Sequence, residues 1–406
     1  MQSWHRWLPI ALVGVVLSLL GFSLWKYLQP STFSDKRDVI DLLSKIVGGA
    51  ALLTGLFFTW RNIQITQQTA FNSLKISQET LRASEEARLT ERFANAIDQM
   101  GSEKAEVRLG AIYSLERIAQ QSKTHHWPIM EILSAYLRHK SPRENESSAE
   151  AVPQYTTEVQ AICKIIKRRR TEHEEAGQYF DLGGTYIGKV DLSGAKLRRA
   201  NLLGCDLHAA KLNGADLEGA DLSSANLQSA DLREALLPGA DLRHADVSSA
   251  DLSKAQMQAT FLENANLKAS DLDSADLAQA SLYGADLSFA KLNYANLRAA
   301  GLQHATLFET DLYRANLEEA NLIGAKLGGV NLKEARLAGA RLKEADVHEV
   351  DLSGADLTGA DLRGVDLRRI VGLKVEQVRA ASYYEKNLLP DHILSNITVD
   401  EVPHSE

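Results

Sequence analysis

Residues 210–234 read AKLNGADLEGADLSSANLQSADLRE, five successive units of five residues. Each unit opens on alanine, passes through a polar residue, places leucine third and leaves its last two places free. The frame extends without an insertion from Phe180 to Arg369, which makes 38 units. Alanine holds the first place in 28 of them, and the substitutes are mostly small or β-branched, as at Thr185, Val190, Cys205, Thr260 and Ser270. The second place is aspartate or asparagine in 25 units. The third place stays apolar throughout, with Ile187, Val247 and Met257 among the replacements for leucine.

This period excludes both regular structures. An α-helix turns about 100° per residue, so leucines five apart would drift around its surface. A flat strand alternates sides, so an odd period would send successive leucines to opposite faces. The pattern works if each unit is a short extended piece followed by a bend. The small residue and the leucine then point inward, and the two free residues turn a corner outside. Glycine often ends the unit (Gly194, Gly204, Gly214, Gly354, Gly359, Gly364), where the backbone must bend tightly.

The Ala-(Asp/Asn)-Leu-x-x grammar resembles that of the pentapeptide-repeat family over nearly half of the chain. The resemblance implies a mainly β fold: a right-handed quadrilateral β-helix with four units per coil and leucines filling the core. For residues 180–369 that means about nine and a half coils and, at roughly 4.8 Å per coil, a rod about 45 Å long. Both open ends of such a rod need caps. At the C-terminal end, residues 372–387 (GLKVEQVRAASYYEKN) read as a short amphipathic helix, with Val375, Val378 and Tyr383 placed to lie over the last coil. Residues 370–406 are accordingly expected to form a capping helix and tail.

Residues 101–179 read as a small α-helical module and N-terminal cap. Glu103–Gln121 carries Val107, Ile112, Leu115, Ile118 and Ala119 at helical spacing. A second helix is expected to start near Trp127-Pro128, with proline in its first turn, and to bury Ile129, Ile132, Leu133, Tyr136 and Leu137. Lys140–Pro153 is a polar linker. Val159–Arg170 makes a third helix ending in the basic run 167–170, either a solvated helix end or a contact with anionic lipid. The stretch 107–118 is similar to the helical module that precedes the repeats in a membrane-associated subgroup of the family.

Residues 1–61 read as a membrane anchor. From Leu8 to Trp25 the chain carries no charge, and the run is long enough for a spanning helix. Ile46–Trp60 is a shorter uncharged run, and starting from Leu42 lets Lys45 snorkel. Arg6, Lys26 and Arg61 with Trp7, Trp25 and Trp60 mark the interfaces. The expectation is a two-helix hairpin, about 8–25 and 43–60, in a bacterial inner membrane with both arms in the cytoplasm. Residues 62–100 would form a polar helical stalk.

Composition narrows the chemistry. Aromatic residues make up only 6% of the chain, as expected of a periodic core built from few residue types. The two cysteines, Cys163 and Cys205, are well separated and form neither a CxxC pair nor a disulfide framework. Catalysis needs groups converging in a pocket, and a solenoid packed with leucine offers none, so no enzyme, cofactor or metal site is expected. Asp271, Asp273 and Asp276 belong to or adjoin the repeat grammar and are read as turn residues. His208, His244, His304 and His348 are scattered over outward places, His125-His126 opens a helix, and Cys205 takes an inward place.

The function expected is a membrane-anchored scaffold that binds another protein on its solenoid faces, with a second copy of the chain also open as a partner. One alternative comes from the quinolone-resistance members of the family, acidic rods that imitate DNA and bind gyrase. The repeats hold 28 Asp/Glu against 20 Lys/Arg, but Arg198, Arg199, Arg341, Lys343 and Arg368 interrupt any acidic stripe, and nucleic acid is not expected as a partner. An accessory subunit of a channel or transporter is a further alternative, although neither apolar run carries an internal charge. The outward aromatics suggest where a partner would bind. Tyr283, Phe289, Tyr294, Phe308 and Tyr313 occupy free places in one short stretch of the repeats. Places one coil apart stack on each other, so Phe289 should meet Phe308 and Tyr294 should meet Tyr313, with Arg298 and Arg314 nearby. Aromatic and arginine clusters of this kind are favoured at protein-binding hot spots.

Overall fold

The structure, a computed structural model, describes residues 4–27, 35–141 and 157–397. It divides into two compact units, residues 1–90 and 91–406.

The first unit is helical. Helix α1 spans Trp4–Tyr27. Helix α2 spans Asp35–Met100. The second apolar run and the polar stretch after it, expected as separate span and stalk, are one continuous helix. No proline or capping break lies between them, and Thr54, Thr59 and Thr69 return their hydroxyls to carbonyls four residues back. Among the described residues one helix is long and apolar enough to cross a membrane, the part of α2 from Ile40, and none of its apolar window is buried.

The second unit takes in the end of α2 from Glu91 and then three packed helices, α3 (Ala105–Gln121), α4 (Lys123–Lys140) and α5 (Thr157–Arg168). Ile112, Leu115 and Ile118 of α3 meet Ile129, Leu133 and Leu137 of α4 and Ile162, Ile165 and Ile166 of α5 in a fully buried core. Helix α4 begins earlier than the proline suggests. Ser122 accepts from the His125 N–H and fixes the start at Lys123, which leaves Pro128 inside the helix. Ile132 and Tyr136 are only half-buried and Val107 is exposed, so the core is narrower than the periodicity indicates. Most of the linker 140–153 lies outside the described residues.

The repeats form a four-sided coil. From Asp181 to Arg341 each second-place residue makes one parallel bridge to the second-place residue of the next coil, for example Asp191 to Lys211 and Lys211 to Asp231. The β contact is a single residue per unit, and no longer strand occurs among the described residues of the coil. Leu192 N–H donates to the Lys211 carbonyl (2.8 Å), Gly194 N–H to Asn213 (2.9 Å), and Lys211 N–H returns to Val190 (2.8 Å). Within the unit, Ala195 N–H closes a turn on the Leu192 carbonyl at 3.0 Å. The fifth-place residue carries a positive φ, +65° at Gly194 and +56° at Ser224, which is the geometry of a type II turn. Second-place aspartates and asparagines accept from the N–H two residues on, as Asp221 does from Ser223 at 3.0 Å. Asparagines also tie coil to coil, Asn296 Nδ2 donating to Asp276 at 2.8 Å.

Both ends of the rod are covered. At the start, Phe180 is buried beneath Trp127 and the Arg169 guanidinium, which lies 4.3 Å from its ring centre. Ser141, just past α4, pairs with the first coil: its carbonyl accepts from Tyr186 N–H and its hydroxyl donates to the Tyr186 carbonyl. Three of the four side chains of the basic run are held by acids, while Arg170 stays 54% exposed. Lys167 bonds Asp191 (2.8 Å), Arg168 bonds Glu116 (2.5 Å), and Arg169, past the end of α5, bonds Glu174 (2.5 Å). The run fastens the helical module to itself and to the rod.

At the other end the expected helix 372–387 is reduced to α6, Val375–Ala380. Val378 is buried, but Tyr384 rather than Tyr383 turns inward. Tyr383 instead continues the coil, bridging Asp361 and accepting from Leu362 N–H at 2.8 Å. The Gln377 amide donates to the Leu352 and Ala355 carbonyls, and the short helix α7 (Asp391–Leu394) buries Ile393. The chain leaves the helix early because the main-chain groups of the last coil need partners.

This packing makes the inward and outward phasing testable. Leu277 is fully buried, so Leu277→Asp would place an unpaired charge in a dry core and cost roughly 4 kcal/mol. Gln279→Lys, on the exposed corner of the same unit, should stay within about 0.5 kcal/mol of wild type; thermal melts of the two variants check the phasing. Acidification should loosen the joint between helices and rod. The hydrogen bond from Lys167, then that from Ser193, holds the Asp191 carboxyl well below the usual carboxylate range. A depressed folded pKa stabilises above the unfolded value of about 4 and is lost as pH falls through the folded value. The protection of α5 amides against hydrogen exchange, relative to their intrinsic rates at each pH, should therefore fall below about pH 4, and less so in Lys167→Ala.

Candidate functional site

The four sides of the coil are numbered from the unit that begins at Phe180, and each corner takes the number of the side before it. In the coils formed by residues 280–319, aromatic pairs occupy three successive corners. Tyr283 packs edge-on against His304 at the first corner, with ring centres 5.5 Å apart. Phe289 meets Phe308 at the second, 5.5 Å apart at 85°, and Tyr294 meets Tyr313 at the third, 5.7 Å apart at 81°. The backbone enforces the last two pairs, because Phe289 N–H donates to the Phe308 carbonyl and Tyr294 N–H to that of Tyr313. In both, a fifth-place residue on one coil lies over a fourth-place residue on the next.

The pairs form a belt rather than a patch along one edge. Phe289, Tyr294 and Phe308 are 52%, 55% and 40% exposed, and Tyr313 is half-covered. The second and third corners flank the third face, whereas Tyr283 stands apart at the first corner. The arginines are engaged. Arg314 lies 5.1 Å from the Tyr313 ring centre and pairs with Glu334 at 2.6 Å. Arg298 stands at the fourth corner, where it pairs with Glu319 at 2.8 Å. Phe289 and Tyr294 both hold positive φ (63° and 61°), a conformation that bulky side chains seldom adopt.

The other groups with chemical potential are absorbed by the fold. Asp271 and Asp276 accept from turn N–H groups, and Asp273 accepts from Asn293 N–H on the next coil. His208 and His348 bond Asp206 and Asp346 two residues earlier. His125 bonds Ser122, but His126 is buried, with Nδ1 3.2 Å from the Ala119 carbonyl and Nε2 3.5 Å from Glu174. Sequence periodicity did not mark His126 as a core residue, because histidine carries no apolar signal. Burial pushes the Cys163 thiol up to about 12 and also raises that of Cys205, whose Sγ donates to the Leu182 carbonyl. Among the described residues no group of three His, Cys, Asp or Glu side chains is arranged to hold a metal.

The repeats have counterparts among known proteins. The family described as pentapeptide repeats (8 copies) matches residues 187–223, 225–264, 262–298, 295–333 and 331–369. HetL, a pentapeptide repeat protein involved in heterocyst differentiation regulation in the cyanobacterium Nostoc sp., is 36% identical, over 46% of this chain and 85% of that one, with a TM-score of 0.28. A pentapeptide repeat protein of the Arabidopsis thaliana thylakoid lumen is 33% identical over 25% of this chain and 70% of its own, with a TM-score of 0.25. QnrB1, a plasmid-mediated fluoroquinolone resistance protein, is 22% identical over 46% and 92%, with a TM-score of 0.23. No curated protein matches the chain. No catalytic family is indicated. With the repeat grammar matched from Ile187 to Arg369 and better than a third of positions shared across most of HetL, the chain belongs to the pentapeptide-repeat family, whose right-handed β-helix makes up its C-terminal half.

Proposed function

We propose that this protein is a membrane-anchored scaffold that binds a partner protein through the aromatic second and third corners of residues 280–319. The observation that carries this reading is the exposure of Phe289, Phe308 and Tyr294 on a surface whose corners are otherwise mostly small, polar or ion-paired. Rings held in fixed edge-to-face pairs lose little entropy on binding, which favours them as anchors. The DNA-imitating alternative is weaker, because acids are neutralised where they stand: Asp231 by Arg233, Asp241 by Arg243, Asp361 by Arg363 and Asp366 by Arg368. The reading is tested by Phe289→Ser combined with Phe308→Ser. Both rings point outward, so the melting temperature should change little while crosslinked capture of the partner from native membranes falls at least tenfold. Retained capture rejects the site, and a large loss of melting temperature assigns the rings to structure.

The anchor rests on the apolar surface of α2. Leu52, Leu53, Leu56 and Phe58 are all more than half exposed, on several sides of one helix. A helix apolar all round requires lipid or protein around it, and lipid suits a run flanked by Trp60 and Arg61. We place α1 and this part of α2 as a hairpin with the soluble parts in the cytoplasm. Full-length protein should stay in the membrane pellet on alkaline carbonate extraction, and deletion of residues 1–61 should release it; full-length protein in the supernatant rejects the anchor.

A further inference from the structure

The first face, opposite the third, carries a separate feature. Its second-place residues form one stacked row that includes Asp221, Asp241, Phe261, Ser281, Gly301, Asn321 and Arg341, each bridged to the next. Phe261 is the one phenylalanine in any second place and Gly301 the one glycine. Phe261 stands 46% exposed in the middle of a face, where its row neighbours are short. Gly301 leaves a notch two coils away, over which the end of the Gln303 side chain leans, with Oε1 3.0 Å from where a Cβ would stand. A knob and a notch lie at equal distances on either side of Ser281.

We propose that this face is a homodimer interface, in which two copies pack antiparallel about a two-fold axis through Ser281. One coil from the axis, Phe261 of each copy then sits over Gly301 of the other, displacing the flexible Gln303 amide. Two coils away, Asp241 meets Asn321, a carboxylate opposite an amide. Three coils away, Asp221 meets Arg341, opposite charges. No like charges coincide in these positions. A two-fold contact must be self-complementary, and the antiparallel register satisfies that for shape and charge together. The parallel register fails on the same row, setting Asp221 on Asp221, Asp241 on Asp241, Arg341 on Arg341 and Phe261 on Phe261. Tyr283, 49% exposed at the adjoining corner, lies level with the axis and would face its own copy. The aromatic second and third corners stay outside the contact, so the dimer and the partner site are independent.

The test uses the full-length chain in detergent micelles with a short bifunctional thiol reagent that spans about the spacing of packed sheets, roughly 10 Å. Cys163 and Cys205 are both buried, which keeps background low. Ser281→Cys should crosslink to itself. Asp221→Cys alone should not, because its copies lie six coils apart, but mixed with Arg341→Cys it should. Phe261→Ser should shift the mass from dimer to the 44.6 kDa monomer without lowering the melting temperature. Asp221→Arg should weaken dimerisation about tenfold or more, and adding Arg341→Asp should restore it. The proposal is overturned if Ser281→Cys fails to crosslink, or if Asp221→Cys alone crosslinks as readily.

Discussion

Each unit of the rod hands its backbone hydrogen bonds to the unit one full coil away, and this single register governs everything else in the C-terminal half. Three intercoil bonds per unit, with a fourth closing the turn, leave little of the main chain free to rearrange. The side of the square is then too short for anything but one small residue and one leucine facing inward. Valine is about the largest side chain that fits the first place within the rod, and Thr260, Ser270 and Thr310 fit there with their hydroxyls turned back onto carbonyls, since a buried hydroxyl needs a partner. Among the described residues twenty-four other than glycine are held at positive φ, all of them at fifth places of the repeat. Each costs on the order of 1 kcal/mol in backbone strain, offset by the bonds that the turn makes possible.

A register that repeats without end leaves its two ends unsatisfied, and the flanking segments answer that. The caps differ because the ends differ. The first coil has second-place N–H groups and carbonyls with no coil before them, and Ser141 and Arg138 of the helical module meet those of Tyr186 and Asp181. The last coil lacks a following coil for its third-place and fifth-place N–H groups and its first-place carbonyls. Tyr383 backbone, the Glu385 carboxylate and the Gln377 amide take those places. The same register also makes the surface a set of rows. A residue placed anywhere in a unit automatically neighbours its counterparts one coil before and after, so sparse substitutions gather into surface features. The aromatic belt and the Phe261–Gly301 row are both products of this stacking.

How much of this was legible depended on distance along the chain. The five-residue period dictated the inward and outward phasing; the four-unit coil was implied by the family resemblance, and once it is given the Phe289–Phe308 and Tyr294–Tyr313 stacking follows from counting. Tyr283 was harder to place, because it shares a corner with His304 and not with the other rings. The capping helix is shorter than its apolar pattern implies for a related reason. Val375, Val378 and Tyr383 fit a helical pattern, yet the last coil's open edge captures the Tyr383 backbone and ends the helix at Ala380.

The sequence by itself determined the repeat register, the apolar core and the continuous apolar run that begins α2, because each is a local or periodic pattern of side chains. The tertiary structure decided what the basic run 167–170 touches, where α4 begins and which histidine is buried. Lys167, Arg168 and Arg169 look alike in the sequence, but Asp191, Glu116 and Glu174 reach them from three different segments. Pairing between distant segments depends on how helices dock on the first coil, and no period encodes that docking. Charge acquires its meaning only after the backbone has chosen its neighbours.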